Sequence, residues 1–238
     1  MGDADMTAGT EPDSKSRTPL SRDRVLRTAA ALADRLGIDA VTMRGLAEEL
    51  GVEAMSLYHH VANKDDVLDG VVDVVMSEIH EAVRDLGQPI EPAAWKTALR
   101  ARILAAREVF LRHPWGPAVF QSRTEAPLSV LDYYDSVLAL MSAGGFSHQH
   151  THHALHALGS RALGFNQELF TPPNGDPDQD AAAIQAMAGR LPHLAAMLLD
   201  ATHDGPDATL GFCDDQTEFE FGLDLILDGL ERLLPGDR

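Results

Sequence analysis

A chain of 238 residues with 45% apolar content can bury a sizeable core in one or two domains, and no apolar run approaches the ~18 residues of a membrane span. Its single cysteine, Cys213, excludes a disulfide framework and fits a reducing cytoplasm, and the polar start MGDADMTAGTEPDSKSR does not read as a signal peptide. The net charge of −18 argues against indiscriminate binding to polyanions, but residues 15–64 hold eight Lys/Arg against six Asp/Glu, a net +2, while residues 1–14 carry −4 and residues 65–238 carry −16.

Residues 1–20 are rich in Asp, Thr, Ser, Gly and Pro without apolar periodicity, which predicts a disordered tail. Lys15 and Arg17 are either a minor-groove arm or part of a solvated tail. Ser21 to Leu36 predicts an amphipathic helix with Val25, Leu26, Ala29, Ala33 and Leu36 on one face, ending at Gly37. From Thr42 to Lys64, two short helices join at Gly51. Thr42 caps the first, and Leu46, Ala47 and Leu50 form its apolar face; Gly51 suits a left-handed turn. The second runs from about Ala54 to His60, with Ala54, Leu57 and Val61 inward and Met55, Ser56 and His59 opposite, flanked by Tyr58 and His60. That outer face is small, aromatic and hydrogen-bonding, with no acidic residue, as a helix reading base edges in a major groove requires. A helical hairpin turned to water is the alternative. The preceding helix favours a three-helix DNA-binding unit of about 45 residues. A net +2 is a weak electrostatic footprint, so affinity is expected to depend on dimerisation and to fall steeply with salt.

Lys64 opens a helix to about residue 86, with Val67, Val71, Val74, Val75 and Ile79 inward; its N-terminus favours a phosphate. Pro92 starts a helix to Arg112 carrying Trp95, Leu99, Ile103, Ala106 and Phe110, ended by His113-Pro114. WGPAVFQ reads as irregular. Pro127 opens a helix to Ala143 with Leu131, Tyr134, Leu138 and Met141 inward; Gly144-Gly145 breaks it, and Ser147 caps the next, to about Phe170. Residues 171–180 and 201–214 read as loops around a helix at about 181–190 and another after Pro192. The last helix, about 215–234, carries Phe219, Leu223, Ile226, Leu227, Leu230 and Leu234. Gly159, Gly164, Gly222 and Gly229 each weaken a helix by ~1 kcal/mol, which calls for a compensating close approach. His148, His152 and His156 share one helix face, but the outer two stand ~12 Å apart and cannot both reach one ion. Metal binding, a pH-sensitive dimer surface and a solvated face stay open for this run.

The run LADRLGIDAVTMRGLAEELGVEAMSLYHHVANKDDVLDGV resembles the DNA-binding domain of the tetracycline-repressor (TetR) family, most specifically in LYHHVANKDDVLD. AWKTALR, HP, AGGFS and FEFGLDLILDGLERLL are similar, in order and spacing, to the ligand-binding domain of its tetracycline-responsive class; the resemblance spans roughly residues 21–234 and is weak between 171 and 215. It implies an all-α fold: a tail (1–20), a three-helix helix-turn-helix DNA-binding domain (21–66), and a larger helical ligand-binding and dimerisation domain (67–238). Residues 64–86 would link the two. Helices at about 147–170 and 215–234 would pair across a two-fold axis as a homodimer, the alternative being packing within one chain.

The function implied is a transcriptional repressor of a palindromic double-stranded DNA operator, released by a small-molecule effector. Ser56, Tyr58, His59 and His60 would touch bases or nearby phosphates and Arg44 and Lys64 the backbone, with Thr42 and Met55 completing the candidate DNA-binding set. Tyr58, His60 and Lys64 match tetracycline-responsive members; Ala54 replaces a base-reading Gln and His59 a Trp, so the operator does not carry over. In the ligand site His80 matches the family's first His and Glu168 its Glu. Arg102 stands at the Asn position, Ala106 at the Phe position and Phe120 at the second His position, which argues against tetracycline–magnesium. No cofactor or metal is expected. Arg102 would suit an anionic group, with Phe110, Trp115, Phe120, Tyr134 and Phe165 as walls; plain core is the alternative for each. An enzyme using the His148–His156 region is the runner-up, but no phosphate loop, nucleophile elbow or paired carboxylates accompany it, so no enzyme is expected. A DNA-bound activator without an effector is a third reading.

Overall fold

The computed structural model describes residues 19–84, 86, 91–163, 182, 185–186, 188–200 and 215–234. They fall into two compact units, one ending at Val74 and the other beginning at Val75. All regular structure among the described residues is helical, and none of these helices is long and apolar enough to cross a membrane.

In the first unit each helix starts and stops on a local signal. The Ser21 side chain accepts from the Arg24 N–H at 3.2 Å and opens α1 (Arg22–Leu36), which Gly37 ends at φ 84°. Thr42 accepts from the Gly45 N–H at 3.0 Å and opens α2 (Met43–Leu50), which Gly51 closes in the left-handed region at φ 66°. Val25, Leu26, Ala29, Ala33, Val41, Leu46, Ala47, Leu50, Leu57 and Val61 are buried together with Ala30 and Leu32. Leu36, expected inward, is instead 67% exposed. It shares the inward side with Val25 but is the last residue before Gly37 turns the chain, where packing has ended.

The helix expected over 54–60 is shorter. α3 spans Ala54–Leu57, and Tyr58 to His60 tighten into a turn in which the His60 and Val61 N–H groups both donate to the Leu57 carbonyl, at 2.8 and 2.9 Å. Asn63 then starts α4 (Lys64–Arg84) by accepting from the Asp66 N–H at 2.9 Å. Val67, Val71, Val75 and Ile79 are buried as expected, with Val72, Met76 and Val83; Val74 is only half-buried.

The second unit contains the rest of α4, a single 3₁₀ turn (Pro92–Ala94), α5 (Trp95–Arg112), α6 (Gly116–Ser122), α7 (Leu128–Ala143), α8 (His148–Leu163), α9 (Pro192–Asp200) and α10 (Asp215–Glu231). Its core joins Trp95, Leu99 and Ile103 to Val137, Leu140, Met141, Phe146, Ala154 and Leu158, and to Phe219, Leu223, Leu227 and Leu230. Trp95 meets Phe146 edge to face, with ring centres 4.6 Å apart. Gly144 permits this approach, because a Cβ there would stand 2.8 Å from Trp95.

Along the outside, Lys96 pairs with Asp228 (2.6 Å) and Glu231 (2.7 Å), and Arg100 with Glu220 (2.6 Å) and Asp224 (2.7 Å), tying α5 to α10. These pairs are solvent-facing and fix register more than they add stability.

Two expectations in this unit fail. WGPAVFQ is mostly helical: Pro117 sits in the first turn of α6, where its missing N–H is not needed. On α7, Leu131 and Leu138 are exposed at 50% and 37%, while Val130, Val137, Leu140 and Met141 face the core. The apolar arc of α7 is wide, running from Leu140 through Val137 and Val130 to Leu138 and Leu131, so periodicity did not select which part of it is buried.

The C-terminal part of the helix expected to Phe170, Gly164, the loops 171–180 and 201–214, most of the 181–190 helix, and residues 1–18 with Lys15 and Arg17 lie outside the described residues. His148, His152 and His156 are exposed on α8, the last two with ring centres 4.7 Å apart. Among the described residues, no three metal-binding side chains gather anywhere.

Candidate functional site

In the first unit, Leu57 and Val61 are buried at 0% and 1% exposure and anchor α3 and its turn. The opposite side is presented outward: Met55 and Tyr58 are exposed at 71% and 47%, His59 is exposed, and Ser56 and His60 are half-buried. The Thr42 hydroxyl is occupied as a cap acceptor. Arg44 reaches Glu48 at 3.0 Å one turn along α2; with both side chains exposed, that pair exchanges readily for a phosphate.

Lys64 is exposed at the start of α4. The adjoining backbone is largely self-satisfied: Asn63 Oδ1 takes the Asp66 N–H, and Asp66 Oδ2 takes the Ala62 N–H at 2.7 Å. Asp65 and Asp66 also place negative charge in the first turn. The sequence offered both the Lys64 ammonium and the helix terminus to a phosphate; these bonds and charges weaken the case for the terminus and leave the Lys64 side chain exposed.

In the second unit, α4 to α8 enclose a cavity. Met76 and Ile79 contribute from α4; Leu99, Ile103, Ala106, Arg107 and Phe110 from α5; Phe120 from α6; Val130, Tyr133, Tyr134 and Val137 from α7; and Leu155, Leu158 and Gly159 from α8. Space not filled by atoms amounts to about 740 Å³, part of it open to solvent. The Phe110 and Phe120 rings meet edge to face, 5.5 Å between centres, and Tyr133 and Tyr134 lie 6.4 Å apart.

Of the residues singled out from the sequence, Ala106, Phe110, Phe120 and Tyr134 line this space. Trp115 does not: it is buried beside His113, with ring centres 5.6 Å apart. Arg102 is not a lining residue either. It is 4% exposed and donates from Nη1 to Ser136 Oγ at 2.8 Å, while Ser136 donates to the Tyr133 carbonyl at 2.6 Å. Burial lowers its pKa from the usual arginine value. His80 is half-buried, its ring centre 6.5 Å from that of Tyr133, and its Nε2 has no hydrogen-bond partner among the described residues. Phe165 and Glu168 lie outside the described residues.

Two lining residues of consequence were not singled out from the sequence. Arg107 brings a guanidinium to the cavity; it lies 4.1 Å over the Phe219 ring and donates to Gln216 Oε1 at 3.1 Å. Burial pushes the Tyr133 phenol up to about 12, against the pull of the Arg102 charge. Tyr133 does stand at helical spacing from Val130 and Val137, and that spacing was the available signal. The lining contains no Ser, Cys, Asp or Glu among the described residues. The result is an apolar, aromatic cavity with a few polar groups at its wall.

Comparison with known proteins places both regions. Residues 25–71 match the family described as "Bacterial regulatory proteins, tetR family", and residues 88–234 match "Tetracyclin repressor-like, C-terminal domain". The chain is 30% identical over 238 residues to the HTH-type transcriptional repressor DrrR1 of Streptomyces coeruleorubidus, covering 95% of this chain and 83% of that protein. It is 27% identical over 216 residues to the class C tetracycline repressor protein of Escherichia coli, covering 90% and 92%. Among solved structures, the Streptomyces coelicolor TetR family protein ActR in complex with (S)-DNPA superposes with a TM-score of 0.68 at 25% identity, covering 92% of this chain and all of that one.

Proposed function

The chain belongs to the TetR family of bacterial transcriptional regulators, and from that premise we propose that it is a ligand-responsive repressor that binds a palindromic operator as a homodimer and is released by an effector. The observation that carries this reading is the composition of α4. The helix begins at Lys64, at the end of the turn that carries the outward-facing Tyr58 and His59, and its residues Met76 and Ile79 are part of the cavity wall. A ligand in the cavity would therefore touch the helix that continues from the 58–63 turn.

Met55, Ser56, Tyr58, His59 and His60 would read bases or nearby phosphates, and Arg44 and Lys64 would hold the backbone. A two-fold pair would meet half-sites ~34 Å apart or a multiple. Two features of α10 support that pair. Phe221 and Leu225 are exposed at 62% and 58% one turn apart. Gly229 has open space where a side chain would be, so packing among the described residues does not account for it. Gly159 borders the cavity, and Gly222 is explained within the chain by the Arg161 side chain that would lie 2.8 Å from a Cβ.

The effector suited to this cavity is partly aromatic, meeting the four rings of Phe110, Phe120, Tyr133 and Tyr134, with a polar edge toward Tyr133. ActR is solved in complex with (S)-DNPA, and the class C relative is named a tetracycline repressor, which supports a small-molecule effector here. Release requires the effector to favour the non-binding state by several kcal/mol. A mobility-shift titration tests this: the complex with DNA from the flanking intergenic region should dissociate as aromatic candidates are added. Unchanged DNA affinity at saturating ligand would refute the switch.

A further inference from the structure

The segment carrying Tyr58, His59 and His60 lies outside regular helix, between the end of α3 at Leu57 and the start of α4 at Lys64. A non-helical run of this kind holds its side chains in place only if other groups fix its backbone. In this protein two side chains do so. Arg22, the first residue of α1, forks onto Asp66, with Nη2 to Oδ1 at 2.6 Å and Nη1 to Oδ2 at 3.0 Å. The same Nη1 also donates to the His60 carbonyl at 3.1 Å. Asp66 in turn accepts the Ala62 N–H at 2.7 Å. One guanidinium and one carboxylate thus grip the turn at both His60 and Ala62. The fork holds the Asp66 carboxyl below its usual range. Bidentate Arg–carboxylate pairs constrain geometry more tightly than single contacts, and lysine cannot reproduce this one.

We infer that Arg22 and Asp66 are positioning residues for DNA recognition: they fix the 58–63 turn so that Tyr58, His59 and His60 are presented together, without touching DNA themselves. Arg22 is half-exposed at the start of α1, where a direct phosphate contact would be the competing role. Its Nη1 and Nη2 are already directed to Asp66 and the His60 carbonyl, which favours the internal role. Asp66 is acidic and has no attraction for a phosphate. The assignment rests on the repressor reading above.

The test uses the full-length protein and a duplex that the wild type selects from a random-sequence pool, with affinity measured by fluorescence anisotropy across a salt series. Arg22→Ala and Asp66→Asn should each weaken binding at least tenfold. The double variant should be little worse than either, because both break one device. The slope of affinity against salt should match wild type, since no phosphate contact is lost. Wild-type affinity in Arg22→Ala and Asp66→Asn would overturn the assignment. So would a salt slope reduced by about one phosphate in Arg22→Ala with Asp66→Asn unaffected, which would make Arg22 a direct contact. Should Arg22→Ala fail to fold, Arg22→Lys keeps the charge without the fork: weakened binding at an unchanged slope supports the assignment, and full affinity refutes it. If the wild type selects no duplex at all, the repressor reading falls and this assignment falls with it, an outcome distinct from variants that bind as well as wild type.

Discussion

Arg102 donates to Ser136 Oγ at 2.8 Å, and no carboxylate among the described residues meets its guanidinium, although it is only 4% exposed. Among the described residues this buried cation is held by one neutral hydroxyl, which returns little for the hydration it loses. Arg102→Met is therefore expected to leave stability unchanged or raise it. Ser136→Ala, which strips the cation of its acceptor, should lower stability by about 1–3 kcal/mol. Chemical denaturation of the two variants checks this; a large loss in Arg102→Met would show that the charge itself holds the structure.

Tyr133 gives a pH dependence with a definite sign. Its phenol titrates near 10 when unfolded and is pushed up to about 12 in the folded chain. Below pH 10 both states are neutral and the group contributes nothing. Between 10 and 12 only the unfolded chain ionises, so stability falls as pH rises, by about 3 kcal/mol in all. Tyr133→Phe should remove that part of the alkaline loss, as read from unfolding midpoints at pH 9 to 12.

Ala106 is the smallest α5 side chain in the cavity wall. Ala106→Phe should fill part of the space and cut the fluorescence of anilinonaphthalene sulfonate bound to the native protein several-fold, while DNA binding persists. Equal dye binding in both proteins would place the ligand elsewhere.

Phe221 and Leu225 lie on the outward side of α10. If a second copy covers them, Leu225→Glu should convert a dimer to a monomer at micromolar concentration in sedimentation velocity, with little effect on helix content. A dimer of undiminished strength would put the two-fold contact on another face.

Leu57 and Tyr58 are neighbours with opposite roles. Leu57 is fully buried, so Leu57→Ala should cost about 2–5 kcal/mol of stability. Tyr58 is 47% exposed, so Tyr58→Ala should change stability by less than about 0.5 kcal/mol yet weaken operator binding by about 1–3 kcal/mol. The pair separates folding from reading in one thermal and one binding measurement.

Residue order alone determined the features that depend on near neighbours. Ser21 and Thr42 as caps, Gly37 and Gly51 as stops, and the inward set Leu46, Ala47, Leu50, Leu57 and Val61 all follow from spacings within two helical turns. Distant partners decided the rest. Arg102 and Arg107 are both cations on α5, but Ser136 on α7 draws the first away from the cavity wall, while Gln216 and Phe219 on α10 hold the second at it. α7 offered two apolar stripes, and packing against α5 and α8 chose Val130 and Val137 over Leu131 and Leu138. A one-dimensional pattern records which faces are apolar; only the tertiary structure shows which apolar face meets a neighbour, and which one borders an empty space.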